Sequence, residues 1–203
     1  MTNKSGAFGL RPVRHMDGTP YNGATAKCYI SAAYATALFV GDPVVFSPTL
    51  AEKDPTGNHP TINKSAGTAG TVVRGVIVGF LQNPDDLEKT YSPASTEGYA
   101  FVAMDPNLIY EIRGDGGGAL TKAVPGQNAV MIATTAGSTS SGRSGMNLDE
   151  GTTTAPGTTQ NFTLHVLDVK EQEDNTLGEN ALYEVLLNTP ENKTGRFLGI
   201  TAS

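Results

Sequence analysis

Few residues in this chain are of a type and spacing that could do chemistry. The run Arg113-Gly114-Asp115-Gly116-Gly117-Gly118 follows an apolar stretch that reads as a strand, and backbone amides in such a turn can cradle a phosphate. No Gly-Lys-Ser/Thr follows, and Ala119 to Gly126 leads into Pro125 instead of a capping helix, so neither the P-loop nor the dinucleotide fingerprint is met. The run reads as a flexible hairpin turn, and its Arg-Gly-Asp triplet is too short to mark a receptor ligand. His15, His59 and His165 have no i,i+4 pairing and no nearby carboxylate to complete a metal site. Ser144 sits in Gly142-Arg143-Ser144-Gly145-Met146, which lacks the second glycine of a nucleophile elbow. Cys28 lies in an apolar run without a catalytic signature and reads as a buried small hydrophobe. Asp85-Asp86 and the acidic run from Glu171 to Asn175 depart from the calcium-loop pattern and read as solvated turns. The expectation is a protein that is not an enzyme, with no catalytic, cofactor-binding or metal-binding residues.

Charge distribution is more informative. The first sixteen residues carry three positive charges (Lys4, Arg11, Arg14) and no negative one, on a chain whose net charge is −6. Residues 6–23 hold four glycines together with Pro12 and Pro20, a composition that opposes any regular element and predicts an extended arm over residues 1–25. Phe8, Leu10, Val13 and Tyr21 are too apolar for a solvated tail, so the arm is expected to dock on this chain's own body or on a neighbour's surface. Arg11, Arg14 and His15 are too few for a phosphate-backbone footprint. An acidic protein surface is therefore the expected partner of the arm, in preference to nucleic acid.

The elements that must position these residues read as strands. Hydrophobic residues make up 38% of the chain and charged ones 17%, with 24 Gly and 12 Pro, a composition of strands joined by turns. Apolar or alternating runs at 27–34, 37–46, 71–81, 99–104, 108–113, 129–134, 162–170 and 182–188 predict about eight strands. Gly41-Asp42-Pro43 divides the second run, since Pro43 starts a strand but cannot donate within a central ladder. Phe162, Leu164 and Val166 alternate with Thr163, His165 and Leu167, as in a sheet with one buried face. The run 71–81 is more uniformly apolar and predicts a central strand. Long polar stretches at 48–70, 82–98 and 136–160 point to loops that serve an interface. One β-sandwich domain over residues 26–203 is expected, a jelly roll being one form of it, with strand order left open. A single Cys, no apolar leader and no run long enough to cross a bilayer predict a protein made in a reducing compartment, without membrane partners.

Several strings resemble a family of small virion proteins of tailed bacteriophages. They are Gly6-Ala7-Phe8-Gly9-Leu10-Arg11-Pro12-Val13-Arg14-His15, Tyr21-Asn22-Gly23-Ala24 and the segment from Tyr34 to Val44, with later matches at Gly75 to Phe80, Asp105 to Glu111 and Ser144 to Asp149. The resemblance implies a capsid cement or decoration protein: one that binds the major capsid protein on the outer surface of the virion head and bridges capsomers, after passing through the host cytoplasm during assembly. It implies many copies and self-association as a dimer or trimer. Other virion parts, such as a head-fibre base, a tail component or a sugar-binding host-recognition module, are the alternatives. In the cement reading, Phe8, Leu10 and Tyr21 are expected to anchor in apolar pockets of the capsid or a sister subunit. Arg11 and Arg14 are then expected to pair with its carboxylates. Deletion of residues 1–23 is expected to abolish capsid binding while leaving the body folded.

Overall fold

Alternating apolar side chains assemble two antiparallel sheets around a shared core. The computed structural model describes residues 3–189, apart from 83, 85, 119 and 134. The end of the expected 26–203 domain, Asp85 and the last residue of the 129–134 run therefore lie outside the described residues. Among those described, the strands are β1 (Arg11–His15), β2 (Ala26–Ile30), β3 (Pro43–Phe46), β4 (Ile62–Lys64), β5 (Gly75–Phe80), β6 (Gly98–Ala103), β7 (Leu108–Arg113), β8 (Asn128–Ala129), β9 (Met131–Ile132), β10 (Asn147–Leu148), β11 (Leu164–Val169) and β12 (Leu182–Leu187). The first sheet has the order β1-β7-β12-β11-β8, the second β2-β6-β5-β3-β4, and β10 and β9 form a small ribbon.

In the first sheet, Leu108, Tyr110 and Ile112 of β7 share a face with Tyr183, Val185 and Leu187 of β12 and with Leu164 and Val166 of β11. Register places Tyr110 opposite Val185 and Ile112 opposite Tyr183, so one-residue slippage would exchange this buried set for the outer one. Val76 of β5 and Ala103 of β6 meet that face from the second sheet, which makes the two sheets a β-sandwich. Each fully buried Leu, Val or Ile contributes roughly 1.5–3 kcal/mol. The second sheet keeps a core of its own, formed by Cys28, Ile30, Val44, Ile77, Ala100 and Val102. It curls until its outermost strands meet through a parallel bridge between Tyr29 and Thr61. Burial pushes the Cys28 thiol up to about 12, as befits an inert core residue.

The run 71–81 supplies β5, central in its sheet as expected. Four expectations are corrected. Residues 11–15 are a strand, not an arm without regular structure: β1 pairs with β7 at the sheet edge, where Pro12 breaks no interior ladder and a register shift between Pro12 and Arg14 absorbs the irregularity. Residues 37–40 form no strand but make single bridges, Leu38 to Ser92 and Val40 to Arg143. The polar stretches 48–70 and 136–160 contain β4 and β10, whose two or three residues are too short to show periodicity. The glycine run after Arg113 is no hairpin turn, because β7 lies between β1 and β12, away from the next strand β8.

Candidate protein-binding groove

Two glycines bring the N-terminal segment onto the seam between the sheets. Gly9 (φ +72°) and Gly41 (φ +94°) lie face to face, and the Leu10 amide donates to the Gly41 carbonyl at 2.9 Å. A Cβ on Gly41 would stand 2.2 Å from the Phe8 carbonyl oxygen, and one on Gly9 2.3 Å from that of Gly41. No other residue type fits this approach. Gly41 in turn donates to the Ile77 carbonyl at 2.8 Å, so residues 8–12 run beside β5. Tyr21 is brought back by its amide, which donates to the Val13 carbonyl at 3.0 Å. Arg143 stands next to Val40 because the Val40 amide donates to Gly142 and the Ser144 amide to Val40.

The result is a groove of about 330 Å³ lined by Phe8, Leu10, Arg11, Pro12, Tyr21, Val40, Ile77, Val78 and Arg143. Four of the five residues expected to carry interaction, Phe8, Leu10, Arg11 and Tyr21, converge here from the N-terminal segment. Leu10 is 2% exposed and serves the protein's own core, so it forms the floor instead of reaching into a partner's pocket. The Arg11 guanidinium lies 5.1 Å from the centre of the Phe8 ring, a cation–π contact that presents a flat, partly polar rim. Arg143 is exposed and has no ion pair among the described residues. An apolar floor between two guanidiniums suits a peptide that combines a large apolar side chain with a carboxylate.

Arg14, the fifth residue, lies outside the groove. The two arginines expected to meet a partner's carboxylates meet the first sheet's own instead: Arg11 pairs with Glu111, and Arg14 with Glu184 at 2.5 Å. Register explains this. Glu111 and Glu184 stand directly opposite each other on β7 and β12, where two like charges repel, and both are buried. Arg11 is the register partner of Glu111, and Lys170, just past β11, bridges the two carboxylates at 3.0 and 3.1 Å. Three cations thus surround two acids. Burial pushes the Glu111 carboxyl up, but hydrogen bonds from Arg11 and Lys170 outweigh it and hold it below the ordinary 4.5. Hydrogen bonding to Glu111, opposed by burial and aided by Glu184, holds the Lys170 ammonium above its ordinary value.

A depressed carboxylate contributes stability that is present above its unfolded value and is lost as pH falls through the lower folded one. Replacing Glu111 with Gln is therefore expected to cost about 2 kcal/mol at neutral pH. The difference from the unsubstituted protein should shrink to nothing in acid, below the folded value of Glu111. Urea unfolding of both proteins across that range measures it; a difference that stays constant with pH would show that the charge of Glu111 contributes nothing.

Two further buried carboxylates act as structural ties that the sequence reading missed. Burial raises the Glu150 carboxyl, against hydrogen bonds from the Gly116 and Asn180 amides and the Tyr183 hydroxyl. A Cβ on Gly114 would lie 2.0 Å from the Glu150 carboxylate, so the glycines after Arg113 wrap an acid of this chain, not a phosphate. Asp42 accepts from the Phe39 amide at 2.9 Å, the Ser144 hydroxyl at 2.6 Å and the Lys64 ammonium at 2.9 Å. Ser144 is 1% exposed, and its oxygen also accepts from the Met146 amide, so it fastens the 142–146 segment to the Gly41 turn. Neither acid has a sequence signal beyond a turn.

The histidines lie apart: His15 pairs with Asp105 at 3.1 Å, His59 meets the Tyr99 ring edge-on, and His165 contacts Asn128 at 2.7 Å. Asp86 pairs with Lys89, and Asp174 with Lys4. Among the described residues no group of three or more His, Cys, Asp or Glu side chains is placed to hold a metal ion, and no helix is long and apolar enough to cross a membrane. No family model, curated protein or solved structure matches the chain.

Proposed function

We propose that this chain is a structural protein of a tailed-phage virion that coats the outer surface of the head and bridges capsomers, with the groove as a protein contact within the coat. The observation that carries the reading is the convergence of Phe8, Leu10, Arg11 and Tyr21, all from the strings that resemble phage virion proteins, on one apolar groove with a cationic rim. The contact is made to the capsid or to a sister subunit, and many copies let modest contacts add through avidity.

The sheet edges support a contact made by side chains. The outer edge of β1 receives the turn at 19–21, where the His15 amide donates to the Thr19 carbonyl and the Tyr21 amide to that of Val13. Asn128 of β8 exchanges hydrogen bonds with Gly157, and β2 meets the segment before β4. With these edges covered, strand addition is closed off there, and recognition falls to the groove. Aromatic rings outside it engage one another, Phe39 stacking on Tyr91 and Tyr99 meeting Tyr29, His59 and Lys27, which gives the sugar-binding alternative no open stacking platform at these residues.

Sedimentation of the purified protein with expanded, undecorated heads tests the reading. Saturation at a fixed number of copies per capsid subunit is expected, and protein that stays in the supernatant would overturn it.

A further inference from the structure

We propose that the groove is filled by a second copy of this chain, in a twofold dimer in which each copy places the leucine of its acidic 86–88 loop in the groove of the other. The proposal rests on the groove being a protein contact and names its occupant.

The first observation is a pair of large apolar side chains on the surface. Leu81 and Leu87 are 50% and 63% exposed, and Leu87 stands between Asp86 and Glu88. Asp86 is held by Lys89 at 2.6 Å, whereas Glu88 is exposed and has no ion pair among the described residues. A leucine beside a free carboxylate is the chemistry that an apolar floor with a free guanidinium accepts. The groove supplies that floor in Leu10, Ile77 and Val78, and Arg143 supplies the guanidinium.

The second observation is that the segment carrying the knob is packed against the segment carrying Arg143. Strand β5 lends Ile77 and Val78 to the groove and runs directly into Leu81. Gly142, the neighbour of Arg143, lies so close to Thr90 that a Cβ there would stand 2.3 Å from the Thr90 hydroxyl oxygen. Leu38 bridges Ser92 beside it. Leu87 precedes Thr90 by only three residues, which limits their separation to about 11 Å. A protrusion and a recess of matching chemistry on neighbouring segments can become complementary under a twofold rotation, and such isologous contacts close as dimers without leaving an open end. In that arrangement Arg143 meets the partner subunit's Glu88, and Leu87 enters the partner's groove.

Light scattering on a sizing column, with sedimentation velocity over about 1–100 µM, reads the association. The expected mass is twice 21.2 kDa. Arg143→Glu and Leu87→Asp, both at exposed positions, should each weaken the dimer at least about tenfold with unchanged far-UV circular dichroism, and Glu88→Arg combined with Arg143→Glu should restore it. A monomer throughout that range, a trimer, or a dimer indifferent to all three variants would overturn the proposal. Head sedimentation separates this from the functional reading: a dimer that ignores heads removes the capsid role and keeps the groove's occupant, and a monomer that decorates heads does the reverse.

Discussion

Deleting residues 1–15 should unfold the protein or leave it aggregating, not release an intact body. The deletion removes β1 from the edge of the first sheet and Leu10 from the core, and loss of such a buried leucine costs about 2–5 kcal/mol even when only its side chain is truncated. It also removes Arg11 and Arg14, leaving Glu111 and Glu184 buried and opposed with only Lys170 between them. Uncompensated buried charge costs several kcal/mol more, and a domain has only about 5–15 kcal/mol to lose. Leu10→Ala alone should lower Tm by about 10 °C. Thermal melts of both variants decide the matter. A truncated protein that melts cooperatively near the temperature of the full chain would mean that the N-terminal segment is an accessory after all.

Gly41→Ala should be among the most damaging substitutions in the groove region, at about 2–5 kcal/mol. Part of the cost is the left-handed backbone at φ +94°, about 1–2 kcal/mol for a residue with a Cβ. The rest is the collision with the Phe8 carbonyl, which is backbone and cannot swing aside. Because the Gly41 turn holds Leu10 through its carbonyl and Ile77 through its amide, the same change should pull residues 8–12 off β5 and open the groove. Chemical denaturation gives the stability loss, and amide exchange at Leu10 and Arg11 reports the detachment. Near-native stability with protected amides would refute the close packing of the two glycines.

Much of the architecture was legible because it rests on alternation. Runs such as 108–113 and 182–188 place every second residue in one core, and their strands appear almost at the expected bounds. What escaped was set by contacts distant in sequence. Nothing local announces that 11–15 is a strand, since Pro12 and the flanking glycines mask it and its partner lies about 100 residues on. The arginines' true partners, Glu111 and Glu184, become visible only with the register of three strands. The groove was half legible: the apolar and basic types at 8, 10, 11 and 21 marked a contact segment, but Val40, Val78 and Arg143 come from three separate segments. Arg143 sits in the Gly-Arg-Ser-Gly string, which carries no local signal for a groove residue.

The central claim, that this is a coat protein acting through its groove, is tested most directly by titrating expanded, undecorated heads with the full chain and with Phe8→Ala, then counting copies bound per capsid subunit after sedimentation. The account predicts that the full chain saturates at a fixed ratio and that Phe8→Ala needs about tenfold more protein to reach it. It is contradicted if the full chain stays in the supernatant, or if both proteins saturate heads at the same concentration.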